Sequence, residues 1–192
     1  NVITYLCKGN VALSITCTII STISSVVLTP LIILFLADQS IDVNFQKIMR
    51  STLFIVFFPT LFGLILKKYF FKNNTKFLLI FPKLSEIFIA LIIGIIFSLN
   101  TDNLSLVSEQ LILGVMMHNL LGLALGYYVS KKLSFPNDVK KTISIEVGMQ
   151  NSGLGMTLAL LHFSKISSLP SAIFSLWHNI SAIGLVYLWK KK

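Results

Sequence analysis

The stretch "SIEVGMQNSGLG", residues 144–155, interrupts an otherwise apolar run. It holds one carboxylate (Glu146), two side-chain amides (Gln150 and Asn151), two serines and three glycines. Its flanks, "VKKTI" (139–143) and "LALLHF" (158–163), read as the two ends of a buried or membrane helix. An ionised carboxylate near the centre of a bilayer costs about 2.5–3.5 kcal/mol on insertion scales, so Glu146 requires a cation, a proton or a hydrogen-bonding cage. Gln150 lies four residues on and shares its helix face. Gly148, Ser152, Gly153 and Gly155 weaken the helix at the same level, which predicts a break at 148–153. An unwound turn frees carbonyl oxygens for a hard cation, and the half-helix that follows presents free N–H groups and a positive dipole end to an anion. Small residues alone would fit a close helix–helix contact. Glu, Gln and Asn together at the break favour a ligand site.

The rest of the chain sets this stretch in a membrane. The 192 residues are 55% hydrophobic and 12% charged, with a mean hydropathy of +0.83. Ordinary soluble domains are about a quarter charged, so the composition places the chain among membrane proteins. The apolar runs give six candidate spans, at about 11–36, 45–67, 77–98, 108–131, 139–163 and 170–189, preceded by a half-span at 1–8. Short loops with turn residues separate them: "ADQSID", "KNNTK", "LNTDN", "SFPND" and "SKISSLP". Pro170 opens the last span, where its missing N–H costs little.

The net charge of +9 is distributed by topology. Lys8, Lys67, Lys68, Lys72, Lys76, Lys83, Lys131, Lys132, Lys140, Lys141 and Lys190–Lys192 fall on one set of helix ends. Only Lys47, Arg50 and Lys165 fall on the other. That asymmetry survives strict alternation and predicts the Lys-rich side, with the C-terminus, to be cytoplasmic. No phosphate loop, RNA-binding aromatic motif or basic helix face accompanies the charge, so nucleic acid is not an expected partner. Cys7 and Cys17 have no metal-ligand spacing and read as small buried thiols. The chain opens on Asn1 without a signal-peptide pattern, and the sequence is expected to begin mid-protein.

Two further patterns bear on a site. Ser14, Thr18, Ser21, Ser25 and Thr29 lie in a stripe about 60–80° wide on the first long span. Their hydroxyls can serve a cation, a neighbouring helix, or their own i−4 carbonyls. His118, His162 and His178 are scattered and form no metal motif. "HN" pairs recur at 118–119 and 178–179; "WHN" (177–179) suits a substrate lining, and His118 a buried, hydrogen-bonded place. No nucleophile elbow or carboxylate pair suggests an enzyme. Short half-helices opened by Asn1 and Asn151, each followed by a long span, form a weak internal echo of the kind seen in repeat-built transporters.

"NVITYLCKGNVALSITCTIISTISSVVLTPL" (1–31), "EVGMQNSGLGMTLALLHF" (146–163) and "FSLWHNIS" (174–181) together resemble the bile acid:sodium symporter family. The resemblance covers nearly the whole chain. It implies an all-α polytopic membrane protein built from inverted five-helix repeats whose two discontinuous helices cross near the midplane. By resemblance, residues 1–36 are the end of the first repeat. Residues 45–98 are a panel-like helix pair, and 104–192 belong to the core with the broken helix 139–163 and the last span 170–189.

The resemblance implies one sodium ion at Asn1, Ser14, Thr18 and Glu146. It implies a second at Glu146, the backbones of Val147 and Met149, and Gln150. The family's further ligands, a Ser just before Asn1 and a Gln on an earlier helix, fall outside this chain, as do the N-terminal helices expected to complete the sites. Asn151, Ser152, His178 and Asn179 match substrate-contacting positions. The implied activity is sodium-coupled symport of an organic anion (bile acid, pantothenate-like or pyruvate-like) by alternating access, with sodium as coupling ion, no other cofactor, and the bacterial inner membrane as the place. The competing expectation is a non-transporting truncated fragment of such a transporter.

Overall fold

Apolar runs of this length leave the backbone one economical solution in lipid, the α-helix, because every N–H and C=O must be paired within the segment. The computed structural model describes residues 1–36, 44–69 and 80–190, and among them every regular element is helical. A short α1 (Val2–Leu6) turns at Cys7–Asn10 into the long α2 (Val11–Leu36). Next come α3 (Phe45–Thr52), a π-helical turn (Leu53–Phe57) and α4 (Phe58–Tyr69) in one continuous rod. The π turn ends just before Pro59, which cannot donate to the Ile55 carbonyl and whose ring crowds it; widening the helix there accommodates both defects. The chain continues through α5 (Ile80–Leu99), a 3₁₀ turn (Thr101–Leu106), α6 (Glu109–Lys132), α7 (Asn137–Gly148), α8 (Ser152–His162), a second 3₁₀ turn (Ile166–Ser168) and α9 (Leu169–Lys190). The loops "ADQSID" and "KNNTK", with Lys72, Lys76, Lys191 and Lys192, lie outside the described residues.

Among the described residues, four helical stretches have the length and apolarity to cross a bilayer: Val11–Leu36, Phe45–Tyr69, Glu109–Lys132 and Ile166–Trp189. Ile80–Leu99 is a further helix of 20 residues. The fifth expected span is divided into halves of 12 and 11 residues. At 1.5 Å per residue each half is only about 16–18 Å long, short of the bilayer core of about 30 Å. Large apolar side chains such as Ile20, Leu125 and Ile183 are exposed along the long helices, the surface that lipid would solvate. The protein is an all-α polytopic membrane protein.

The non-helical stretch is narrower than the 148–153 expected from composition. Only Met149–Asn151 leave the helix, with Met149 extended (φ −95°, ψ 113°), and Gly153 and Gly155 lie inside α8. Among the described residues no glycine has positive φ. Gly148 serves packing instead: a Cβ there would collide with Leu123 Cγ and Cδ2 on α6.

The chain divides into two compact units. One comprises residues 1–21, 102–152 and 169–192; the other comprises 22–101 and 153–168. In the second, Ile48, Val56, Leu154 and Leu158 form a buried apolar cluster, flanked by Ile33, Ile55 and Phe163. His162 pairs with the Ser51 hydroxyl at 2.8 Å in the same unit.

In the first unit α6 and α7 approach at glycines. A Cβ on Gly126 would meet the Ile143 carbonyl oxygen at 2.8 Å, and one on Gly122 would meet Gly148 Cα at 3.0 Å. Polar bonds then join the two backbones: Ser144 Oγ donates to the Leu123 carbonyl (2.6 Å) and Asn119 Nδ2 to the Gly148 carbonyl (2.9 Å). Ring contacts join α9 to α6, with Phe174 against His118 (5.7 Å) and Trp189 against Tyr127 (6.0 Å). Lys141 Nζ on α7 lies over the Trp189 ring and donates to the Cys7 carbonyl, tying the end of α1 to α7.

Candidate functional site

Polar residues at four-residue intervals bring α2 and α7 together within the first unit. Asn10 caps α2, its Oδ1 accepting from the Leu13 N–H at 3.0 Å. Its own N–H donates to Thr142 Oγ1 (2.7 Å) and its Nδ2 to Asp138 Oδ2 (3.5 Å). One turn further, Ser14 Oγ lies 2.5 Å from Glu146 Oε1 and 2.6 Å from Asn1 Oδ1. Another turn on, Thr18 Oγ1 lies 3.2 Å from Glu146 Oε2 and 3.0 Å from the Ser14 carbonyl. Residues 10, 14 and 18 share one face of α2, and 138, 142 and 146 share one face of α7, so the helices run parallel here with matched polar rungs.

The top of this ladder is crowded with oxygen. Ser14 is fully buried and has one hydroxyl proton, yet two acceptors, Asn1 Oδ1 and Glu146 Oε1, lie within hydrogen-bond range of it. The recorded partners of Glu146 are the Ser14 and Thr18 hydroxyls, which donate protons but carry no charge. Among the described residues these partners are uncharged, so the half-buried carboxylate sits in an oxygen cluster, a donor set that suits a hard cation. Among the described residues no three His, Cys, Asp or Glu side chains gather as a softer metal centre would require.

The break lies directly beyond. The Val147 carbonyl accepts from Gln150 Nε2 (2.7 Å), and the Gly148 carbonyl from Asn119, so side chains replace the missing helical donors. Met149 N–H closes the last turn of α7 on the Ile145 carbonyl (2.8 Å), and Ser152 N–H reaches back to the Gln150 carbonyl (3.0 Å). Gln150 and Asn151 are exposed, and Ser152 opens α8.

The structure thus brings Asn1, Ser14, Thr18 and Glu146 to hydrogen-bond range and sets Val147, Met149, Gln150, Asn151 and Ser152 along the adjoining break. His178 and Asn179 keep other company on α9. Asn179 Nδ2 donates to the Ser175 carbonyl (2.7 Å), and the His178 ring meets Phe174 edge-on at 5.2 Å. His118 is exposed and packs against Phe174, contrary to the buried, hydrogen-bonded place expected of it: its position on α6 faces outward, while the next residue, Asn119, takes the buried face. Of the hydroxyl stripe on α2, Ser14 and Thr18 reach Glu146, whereas Ser21 and Ser25 bond carbonyls three residues back on their own helix. Cys7 is buried and Cys17 half-buried, both as free thiols.

Sequence reasoning missed Thr4, Asn10, Asp138 and Thr142 as supports of the site. The shared four-residue spacing of 10, 14 and 18 with 138, 142 and 146 was a readable signal. Asn119 left no such trace, because its role depends on how closely α6 approaches the break.

A membrane chain with a broken helix, whose only carboxylate at the break joins oxygens from two other helices, has the anatomy of a repeat-built secondary transporter. The chain belongs to the Sodium Bile acid symporter family, whose model matches residues 1–107. Curated relatives extend the likeness across Glu146 and the break. An "Uncharacterized sodium-dependent transporter YocS" from Bacillus subtilis (strain 168) is 45% identical over 100% of this chain and 60% of its own length. A "Probable sodium/metabolite cotransporter BASS1, chloroplastic" from Arabidopsis thaliana is 36% identical over 100% of this chain and 48% of its own. A "Probable sodium/metabolite cotransporter BASS2, chloroplastic" from Oryza sativa subsp. japonica is 35% identical, with 100% and 46% covered. The chain thus spans between 46% and 60% of the length of these relatives.

Proposed function

We propose that this chain carries the sodium-binding half of a sodium-coupled symporter for a small organic anion. The observation that carries the proposal is the convergence of Asn1 Oδ1, Ser14 Oγ, Thr18 Oγ1 and both Glu146 oxygens, a set with more acceptor capacity than protons. The sodium-dependent and sodium/metabolite names of the relatives support the choice of ion and of cargo class. Sodium at this cluster neutralises Glu146 and holds α1, α2 and α7 in one arrangement. A second sodium is assigned to Glu146, the carbonyls of Val147 and Met149, and Gln150.

The anion is assigned to the N-terminus of α8, where Asn151 and Ser152 begin a half-helix whose dipole favours negative charge. His178 and Asn179 are assigned to the cargo cavity. A panel-like pair at 45–98 would move against the core to alternate access. Sodium drives this only through its different affinity for the two states, and a filled Glu146 site supplies that difference. The Lys-rich ends are assigned to the cytoplasm, with the C-terminus, in a bacterial inner membrane.

The test is uptake of a panel of small radiolabelled carboxylates by the full-length protein in proteoliposomes, with and without a sodium gradient. Glu146→Gln keeps the size but removes the charge and turns one of the two acceptor oxygens into a donor, and is expected to abolish sodium-driven uptake with insertion unchanged. Normal sodium-driven uptake by Glu146→Gln would refute the assignment.

A further inference from the structure

Thr4 lies on α1, outside the set of oxygens assigned to sodium, and is fully buried. Its Oγ1 is 3.2 Å from Ser14 Oγ. The turn that follows holds it in place. The Gly9 N–H donates to the Thr4 carbonyl at 2.8 Å, and a Cβ on Gly9 would sit 2.8 Å from both Thr4 Cγ2 and Thr142 Oγ1. Lys141 fastens the same turn through the Cys7 carbonyl.

Proton counting gives Thr4 a task. A hydroxyl that binds a cation must aim a lone pair at the ion, so its proton must point away, toward an acceptor that is not itself a ligand. Thr18 has such an acceptor in the Ser14 carbonyl. For Ser14, Asn1 Oδ1 and Glu146 Oε1 are both assigned to the ion, and among the described residues Thr4 Oγ1 is the further side-chain oxygen within hydrogen-bond range. We infer that Thr4 is a positioning residue for the cation site: its hydroxyl oxygen accepts a hydrogen bond from the Ser14 hydroxyl when sodium binds and donates one to Ser14 Oγ when sodium leaves, each hydroxyl keeping its own proton. Ser14 can then donate to Glu146 in the empty site and, in the filled one, turn a lone pair to the ion with its own proton on Thr4 Oγ1. The inference rests on the sodium reading above and adds a residue to it.

The test compares Thr4→Val, which is nearly isosteric and lacks the hydroxyl, with Thr4→Ser and Thr4→Ala, which share the loss of a methyl group and differ only in the hydroxyl. Equilibrium binding of ²²Na⁺ to the purified full chain is measured beside its melting temperature without sodium. An interhelical hydrogen bond of the usual membrane strength converts to a roughly three- to twentyfold weaker sodium affinity for Thr4→Val and Thr4→Ala. Thr4→Ser is expected to match wild type. If Thr4→Val fails to fold, the Ser–Ala pair still isolates the hydroxyl. Equal affinities of Thr4→Ser and Thr4→Ala, with clear binding by wild type, overturn the role of Thr4 and leave the sodium site standing. Absence of ²²Na⁺ binding by wild type overturns both.

Discussion

Replacing Gly126 by Ala tests whether the close approach of α6 to α7 is what holds Glu146 in place. The added Cβ would lie 2.8 Å from the Ile143 carbonyl oxygen and 2.9 Å from Ser144 Cα, both backbone atoms that cannot rotate aside. Ordinary contact begins near 3.4 Å, so α7 must retreat by about 0.6 Å at this level. That retreat strains the 2.6 Å bond from Ser144 Oγ to the Leu123 carbonyl and displaces α7 two residues before Glu146. Overpacking of this kind costs about 1–3 kcal/mol, against a gain of up to about 1 kcal/mol from replacing a helical glycine by alanine. The expected net loss is therefore about 0–3 kcal/mol in stability, with a weakened sodium site added to it. Gly114 lies on the same helix with nothing within 4 Å of its Cβ position, so Gly114→Ala is expected to be neutral or stabilising. Thermal unfolding in one detergent, with and without sodium, reads both variants. The reasoning is refuted if Gly126→Ala matches Gly114→Ala in melting temperature and in its sodium-induced rise.

Two more outcomes follow from the same geometry. Ser14→Ala removes the hydroxyl that reaches both Asn1 and Glu146; it takes one ligand oxygen from the ion and one hydrogen bond from the empty site, and ²²Na⁺ affinity should fall by about tenfold where the lost ligand outweighs the lost bond by ~1.4 kcal/mol. Binding within twofold of wild type would exclude Ser14 from the site. Asn119→Leu strips the Gly148 carbonyl of its donor but also removes a buried Oδ1 that has no partner among the described residues. The two effects offset in part, leaving an expected loss below about 1.5 kcal/mol in chemical unfolding, with faster hydrogen exchange confined to the N–H groups of residues 149–152. Unchanged exchange there would show that the break does not depend on Asn119.

The sequence alone was enough for the class of protein and for its most informative point. Low charge and long apolar runs leave only membrane helices, and a carboxylate among amides and small residues marks a helix that cannot continue unbroken. Ser14 and Thr18 were legible too, as a polar face in search of a partner. The partner was not, because spacing along one helix says which residues share a face, never which other helix that face meets. Ser14 and Glu146 are 132 residues apart, and only packing joins them. The same limit hid Thr4 and Asn119, whose importance lies in the one atom each is brought against. It also inverted the reading of Gly148. Composition presented it as a weak point of the helix, whereas its missing side chain is what lets Leu123 and α6 approach the break. Residue chemistry determined that a charge had to be compensated inside the membrane; the approach of α1, α2 and α6 to α7 decided which atoms surround it, because helix–helix distance is set by the absence of side chains as much as by their presence.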